Sequence, residues 1–278
     1  MLLLSLVWGS SFILIKKSLI AFSSYEVGML RIGISALAFL PIAVQSFRKI
    51  ERKDLKRLLL VGLTGSGIPA FLFPLAQTQI SSSVAGLLNS LTPLFTLVLG
   101  ILFFKTAFKS SKLAGVLIGL VGAALLILFG ENIGKNAVSW YSAFAILATI
   151  CYATSVNTVG TYLQHLNPIT TSATSFLMVG VPALLYLGFS DVPQVVMTHA
   201  HGWQSLGYVT ILALVGTVLS TVIFFQLVRM SNALVASMIA YIIPIVALGW
   251  GAIDGEVISL YHFLGMGLIL VGVYLSRK

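Results

Sequence analysis

The chain has 278 residues, of which 58% are hydrophobic and only 8% charged, with a mean hydropathy of +1.05. A water-facing domain carries roughly 25% charged residues, so this composition excludes an ordinary soluble surface and makes lipid the main solvent. The formal charge of +9 would point to nucleic acid in a soluble protein, but here its distribution matters more than its sum.

A helix crossing the roughly 30 Å hydrocarbon core needs about 20 mostly apolar residues. The first such stretch is 2–21, beginning "MLLLSLVWGSSFILI". It lacks a basic n-region and a clear small-residue cleavage site, so it reads as a membrane helix and not as a removable signal. Further stretches follow at 26–47, 57–77, 82–104, 112–130, 139–160, 168–188, 205–228, 233–252 and 258–276. The expectation is an all-α integral membrane protein with ten transmembrane helices, whose short connections leave little for a soluble domain.

Charge then orients the chain. Arg48, Lys49, Arg52, Lys53, Lys56 and Arg57 crowd one link, and Lys105, Lys109, Lys112, Arg229, Arg277 and Lys278 fall on the same side. The opposite links carry Glu26, Glu131, Asp191, Asp254 and Glu256, with Lys135 as their clearest cation. Short cytoplasmic loops are rich in Lys and Arg. A multi-pass protein of the cell inner (plasma) membrane with both termini cytoplasmic follows. Cys151 is the only cysteine, which excludes an intrachain disulfide framework.

The chain also repeats itself. Val84, Ala85, Pro93, Leu97 and Gly100 recur 151 residues later as Val235, Ala236, Pro244, Leu248 and Gly251, and Gly65 recurs as Gly216. Ser5, Trp8 and Gly9 face Thr149, Tyr152 and Ala153 at a spacing of 144. Residues 1–130 and 139–278 therefore read as two copies of a five-helix unit. Five is odd, so the second copy enters the membrane from the other side and the repeats are inverted, a recurring design of secondary transporters. Pro93 and Pro244 each remove a backbone donor and free a carbonyl near Asn89 and Ala240. Pro69 and Pro74, with Gly62, Gly65 and Gly67, predict a bend in the third helix.

The stretches "LVWGSSFILIKKSL", "MLRIGISALAFL", "LLNSLTPLFTLVLGILFF" and "IAYIIPIVALGWGAIDGEVISLYHFLGMGLILVGVYL" resemble EamA-type members of the drug/metabolite transporter superfamily over nearly the whole chain. The resemblance implies a ten-helix inner-membrane permease that exports amino acids or other small metabolites. It also implies a central cavity lined mainly by the first, third, fourth, sixth, eighth and ninth helices. The chain departs from the pattern in three places. Phe104-Lys105 stands where the second repeat keeps Gly255-Glu256, Tyr152-Ala153 replaces Trp-Gly, and Ser175 stands opposite Arg31.

Trp8 and Tyr152 are mid-span aromatics with polar tips, suited to a cavity wall that encloses an organic substrate. Asn89, one turn before Pro93, suits a substrate carboxylate or amine, or helix–helix bonding. Gln77, Ser90, Gln226, Ser237 and Tyr241 are further substrate-binding candidates. Lys16 and Arg31 are basic residues within spans, placed here at the external mouth, with Glu26 as a partner for Arg31. No Asp or Glu falls mid-span, which counts against a proton-coupled carboxylate site for cations.

His199 and His201 read as a solvated loop, and no metal, cofactor or catalytic residue is expected. The partners are a small-molecule substrate and the bilayer, with no nucleic acid; monomer and homodimer both stay open. The glycines of 112–130 and 258–276 pack either within the bundle or between subunits. The reading is a permease that exports small organic metabolites, foremost amino acids or related compounds, by alternating access at the repeat interface. A broad multidrug efflux carrier is the alternative; an intramembrane enzyme or a passive channel would be of another class.

Overall fold

A computed structural model describes residues 1–47, 50–105, 110–129 and 140–277. Arg48, Lys49, Lys109, Glu131, Lys135 and Lys278 lie outside the described residues. Every regular element among the described residues is helical. Helices α1 (Leu2–Ser18), α2 (Ser24–Phe47), α3 (Arg52–Gln77), α4 (Ser82–Phe103) and α5 (Ser110–Phe129) come first. They are followed by α6 (Tyr141–Tyr162), α7 (Pro168–Gly188), α8 (Gly202–Met230), α9 (233–253) and α10 (Leu260–Arg277). A short helix, Val192–Thr198, lies between α7 and α8. Six helices, α2, α3, α4, α6, α7 and α8, are long and apolar enough to cross a membrane. Shorter apolar stretches are Ala114–Leu125 in α5, Ile243–Ile253 in α9 and Leu260–Gly272 in α10. Large apolar side chains such as Leu102, Phe103, Leu185 and Phe189 point outward, as a lipid-facing surface requires.

Local chemistry sets the helix ends. Asn167 caps α7 by accepting from the Ile169 amide at 2.9 Å, and Pro168 follows at the first helical position. The Ser81 hydroxyl accepts from the Val84 amide at 3.2 Å and caps α4. Helix α3 starts at Arg52, one and a half turns before the expected residue 57. The reason is Asp54, buried in its first turn: His165 Nε2 lies 2.7 Å and Arg57 Nη1 3.1 Å from its carboxylate. An acid in the first turn also suits the helix dipole. Helix α1 ends at Ser18, three residues short of the expected 21, where Lys16 and Lys17 meet acidic partners.

Helix α2 lies along α7 and α5 along α10, while α1 packs on α8 and α9. The main buried cluster draws on α1, α3, α4, α6, α8 and α9; a second, around Phe39 and Phe176, joins α2 to α7. The α5–α10 contact depends on bare backbone. A Cβ at Gly122 would stand 2.8 Å from the Gly265 carbonyl and the Ile269 amide, too close for any side chain. The glycine faces of α5 and α10 therefore meet each other inside the chain.

Four of the core helices are interrupted near their middles. Helix α3 widens into a π turn at Leu63–Gly67, and α8 does so at Leu214–Leu219. Helix α4 tightens at its centre, where the Ser90 and Leu91 amides reach back only three residues, to Leu87 and Leu88, at 3.0 and 3.1 Å. Helix α9 tightens into a 3-10 turn at Met238–Tyr241. The two π turns contain Gly65 and Gly216, and the two tight turns precede Pro93 and Pro244.

Candidate functional site

The four interruptions surround one cavity. It encloses about 860 Å³ of space free of atoms, part of it open to solvent. Its wall comes from α1 (Trp8, Ser11, Phe12, Ile15), α2 (Arg31), α3 (Gly65, Ser66, Phe73), α4 (Asn89, Thr92), α6 (Tyr152, Ser155, Val156), α8 (Gly216, Thr217, Thr221, Phe224, Phe225) and α9 (Ser237, Ile239, Ala240, Ile243). Trp8 and Tyr152, Ser11 and Ser155, and Phe12 and Val156 stand 144 residues apart. Gly65 and Gly216, Ser66 and Thr217, Phe73 and Phe224, Asn89 and Ala240, and Thr92 and Ile243 stand 151 apart.

Contacts follow the same pairing. The Trp8 ring meets Phe224 edge-on at 4.9 Å, and Tyr152 stacks on Phe73 at 5.8 Å. The π-turn glycines lie against serines of the pairs above: a Cβ at Gly65 would come 2.5 Å from Ser155 Oγ, and one at Gly216 would come 3.1 Å from Ser11 Oγ. Trp8 Nε1 donates to the Gly216 carbonyl at 3.0 Å, using an acceptor on the widened turn. π turns of this kind recur at functional sites.

The carbonyl freed by Pro93 is occupied. Thr92 Oγ1 donates to Asn89 O at 2.7 Å, so the backbone at this break is satisfied from within. In α9 the matching residue is Ile243, which has no hydroxyl to do the same. The Asn89 amide faces the cavity and has no protein partner among the described residues.

Arg31 is the charged residue of the wall. It is 8% exposed, and its Nε donates to Thr217 Oγ1 at 2.9 Å; that hydroxyl in turn donates to Leu212 O at 3.0 Å. Its guanidinium also interacts with the Tyr152 side chain. The sequence placed Arg31 at the external mouth with Glu26 as partner. Glu26 instead accepts from the Ser23 amide and hydroxyl, both at 2.7 Å, a local helix cap that leaves Arg31 to turn inward.

Lys16 does lie at a bundle end, within an ion cluster. Its Nζ is 2.8 Å from both Asp254 and Glu256, and Lys17 pairs with Asp254. Glu256 also accepts from the Ser82 amide at 3.0 Å and hydroxyl at 2.7 Å, and from the Ser83 amide at 3.0 Å. One carboxylate thus caps the start of α4 and ties it to α1. Burial raises the carboxyl pKa of Glu256, but the bonds from Lys16, Ser83 and Ser82 outweigh this and lower it to about 2. Asp254 is likewise held below the usual carboxylate range: burial opposes this, and Lys16 and Lys17 prevail.

The sequence pattern of the EamA-like transporter family matches residues 1–128 and again 139–277. The chain belongs to this family. An uncharacterized transporter of Archaeoglobus fulgidus is 26% identical over 269 residues, 96% of this chain and 94% of its own length. The uncharacterized inner membrane transporter YedA of Escherichia coli strain K12 is 27% identical, covering 98% of this chain and 87% of its own. A probable amino-acid metabolite efflux pump of Salmonella typhimurium is 26% identical, covering 99% and 92%. A solved crystal structure of a protein at 17% identity superposes with a TM-score of 0.63, over 99% of this chain and 93% of the other, and shares the fold. With its apolar helices, this EamA-like chain is a membrane protein.

Of the sequence-derived candidates in this EamA-like protein, Trp8, Asn89, Tyr152 and Ser237 line the cavity together. Tyr241 ends the tight turn of α9, but its side chain lies outside the described part. Gln77 and Ser90 are buried yet absent from the wall, and Gln226 is exposed. Pro69, Pro74, Pro93 and Pro244 shape the wall from behind without lining it. Seen from the sequence, Ser11, Phe73, Ser155, Thr217 and Phe224 went unnoticed. Ser11 and Ser155 lie one turn beyond Trp8 and Tyr152, Thr217 adjoins Gly216, and Phe73 and Phe224 lie about two turns beyond Gly65 and Gly216, so carrying the 144 and 151 spacings along these helices picks out each of them.

Proposed function

We propose that this chain is a secondary transporter of ten spans, built from inverted repeats 1–130 and 139–278. It exports small organic metabolites, foremost amino acids or related compounds, by alternating access. In this reading it lies in the cell inner membrane with both termini cytoplasmic, and it carries rather than transforms its substrate. The Lys16–Asp254–Glu256 cluster is then external and the Asp54–His165 pair cytoplasmic. The observation that carries the reading is the pairing of the cavity wall, which takes matched residues from both halves at two fixed spacings. Two halves that exchange conformations across such a site move its opening from one face to the other. Trp8, Asn89, Tyr152 and Ser237 contact the substrate, with Tyr241 beside them, while Pro93, Pro244 and the two π turns provide the bending points. The Salmonella relative's name supports amino-acid metabolites as cargo. The aromatic wall supports broad drug efflux as a second reading.

Counterflow in proteoliposomes tests this. Vesicles preloaded in turn with unlabelled amino acids and related metabolites are given labelled compound outside. A few preloads should drive saturable accumulation, weakened roughly tenfold or more in Trp8→Ala and Asn89→Ala. Accumulation with none of them, alongside exchange of chemically diverse drugs, moves the second reading ahead. Flux without saturation or counterflow identifies a channel.

A further inference from the structure

An arginine in a membrane-spanning core is costly and by default functional. It cannot shed its proton to relieve that cost, and leaving a buried charge without a counter-charge costs several kcal/mol. Arg31 is more than nine-tenths buried; its Nε donates to the neutral Thr217 hydroxyl, and its guanidinium also meets the neutral Tyr152 side chain. Among the described residues no carboxylate pairs with it, and none lines the cavity. The acids near the bundle ends have their own partners: Asp254 and Glu256 hold Lys16 and Lys17, and Asp54 holds Arg57 and His165. The position 144 residues after Arg31 is Ser175, so no second cation offsets or duplicates it from the other half.

Resting on the transporter reading above, we infer that Arg31 is the anion anchor of the cavity, and that the substrate is an organic carboxylate on an aromatic or branched apolar body. The Nη groups, which Thr217 leaves unused, form the planar fork that holds a carboxylate with two parallel bonds. The rings of Trp8, Phe73, Tyr152 and Phe224 enclose the apolar body. The carboxylate supplies the missing counter-charge, so binding relieves a cost carried by the empty site. A bare amine meets the opposite condition: a fixed positive charge and no acid. The Asn89 amide can accept from an α-ammonium, so an amino acid is tolerated, but the ammonium is not what the site requires.

The test uses purified full-length protein in detergent and four probes on one phenyl body: 3-phenylpropionate, phenylalanine, 3-phenylpropionamide and phenethylamine. Binding is read by quenching of tryptophan fluorescence and by shift of the melting temperature. The expected order places 3-phenylpropionate within about tenfold of phenylalanine, and both well ahead of the amide and the amine. A charge-assisted hydrogen bond contributes about 1.5–3 kcal/mol. Arg31→Gln should therefore weaken carboxylate binding by roughly 10- to 100-fold and leave the amide unchanged, and Arg31→Lys should keep part of the preference. Should Arg31→Gln not fold, the ranking on the wild-type protein decides alone. Equal or tighter binding of phenethylamine, carboxylate affinity unchanged in a folded Arg31→Gln, or no binding of either carboxylate overturns the inference. The transport reading fails separately, if the wild type binds 3-phenylpropionate yet never exchanges it across a bilayer.

Discussion

Glu256 concentrates more polar contacts than any other side chain described, receiving Lys16, both Ser82 donors and the Ser83 amide within 3.0 Å. Its folded pKa of about 2 lies below the ordinary 4.5. The group therefore contributes stability that is fully present above pH 4.5 and lost as the pH falls through about 2. Thermal melts in detergent between pH 5 and 2 should show a steep loss in the wild type and a shallower one in Glu256→Gln. At neutral pH that variant should lose about 2 kcal/mol, the order of a hydrogen bond to a charged group. A variant with unchanged slope would show that the cluster carries no linkage. At this scale the sequence was partly legible. Trp8, Asn89 and Tyr152 stand out in the sequence as mid-span aromatic or amide residues, which suit either a cavity wall or helix–helix contacts. Glu256 does not, because its partners come from α1 and α4, more than 170 residues away in sequence.

Among the elements, the breaks in α3, α4, α8 and α9 set the shape of the cavity, and two kinds of chemistry sustain them. In α4, Thr92 closes the carbonyl that Pro93 leaves open. Thr92→Val keeps the shape and removes the donor, which should cost about 1–3 kcal/mol, the penalty for a buried group left unpaired. Denaturation of the two proteins under identical conditions checks this, and equal stability would mean that Asn89 O finds another donor. In α3 the need is space: Gly65→Ala would press a methyl group onto Ser155 Oγ at 2.5 Å. Substrate affinity should fall in Gly65→Ala and recover in part when Ser155→Ala removes the hydroxyl; failure of the double variant to recover would place the strain elsewhere. Prolines announced the breaks in α3, α4 and α9 in advance. The π turn of α8 contains no proline, so only its matched Gly216 hinted at it. The end of α1 and the start of α3 differ from the expected residues 21 and 57; the charged first turn of α3 is helical because buried Asp54 pairs there with Arg57 and His165, a tertiary effect that hydropathy does not register.

For the whole molecule, the central claim is that the two halves share one cavity and open it to each face in turn. The ends of the bundle are unlike. An ion cluster ties α1 to α4 and to the α9–α10 link at one end. At the matching place in the other half, Gly160 lies against Ala233 and Lys105 stands where Glu256 would be. The contacts that close the two ends therefore differ in kind. The most direct measurement is accessibility of Ser11→Cys on the wall, in a Cys151→Ser background that leaves it the only thiol. An impermeant thiol reagent is applied to sealed vesicles from each side, with and without transported substrate. Alternating access predicts labelling from both sides, protection by substrate, and loss of labelling from the Glu256 side alone when a disulfide between Lys16→Cys and Glu256→Cys closes that end. Labelling from one side under every condition would contradict the account.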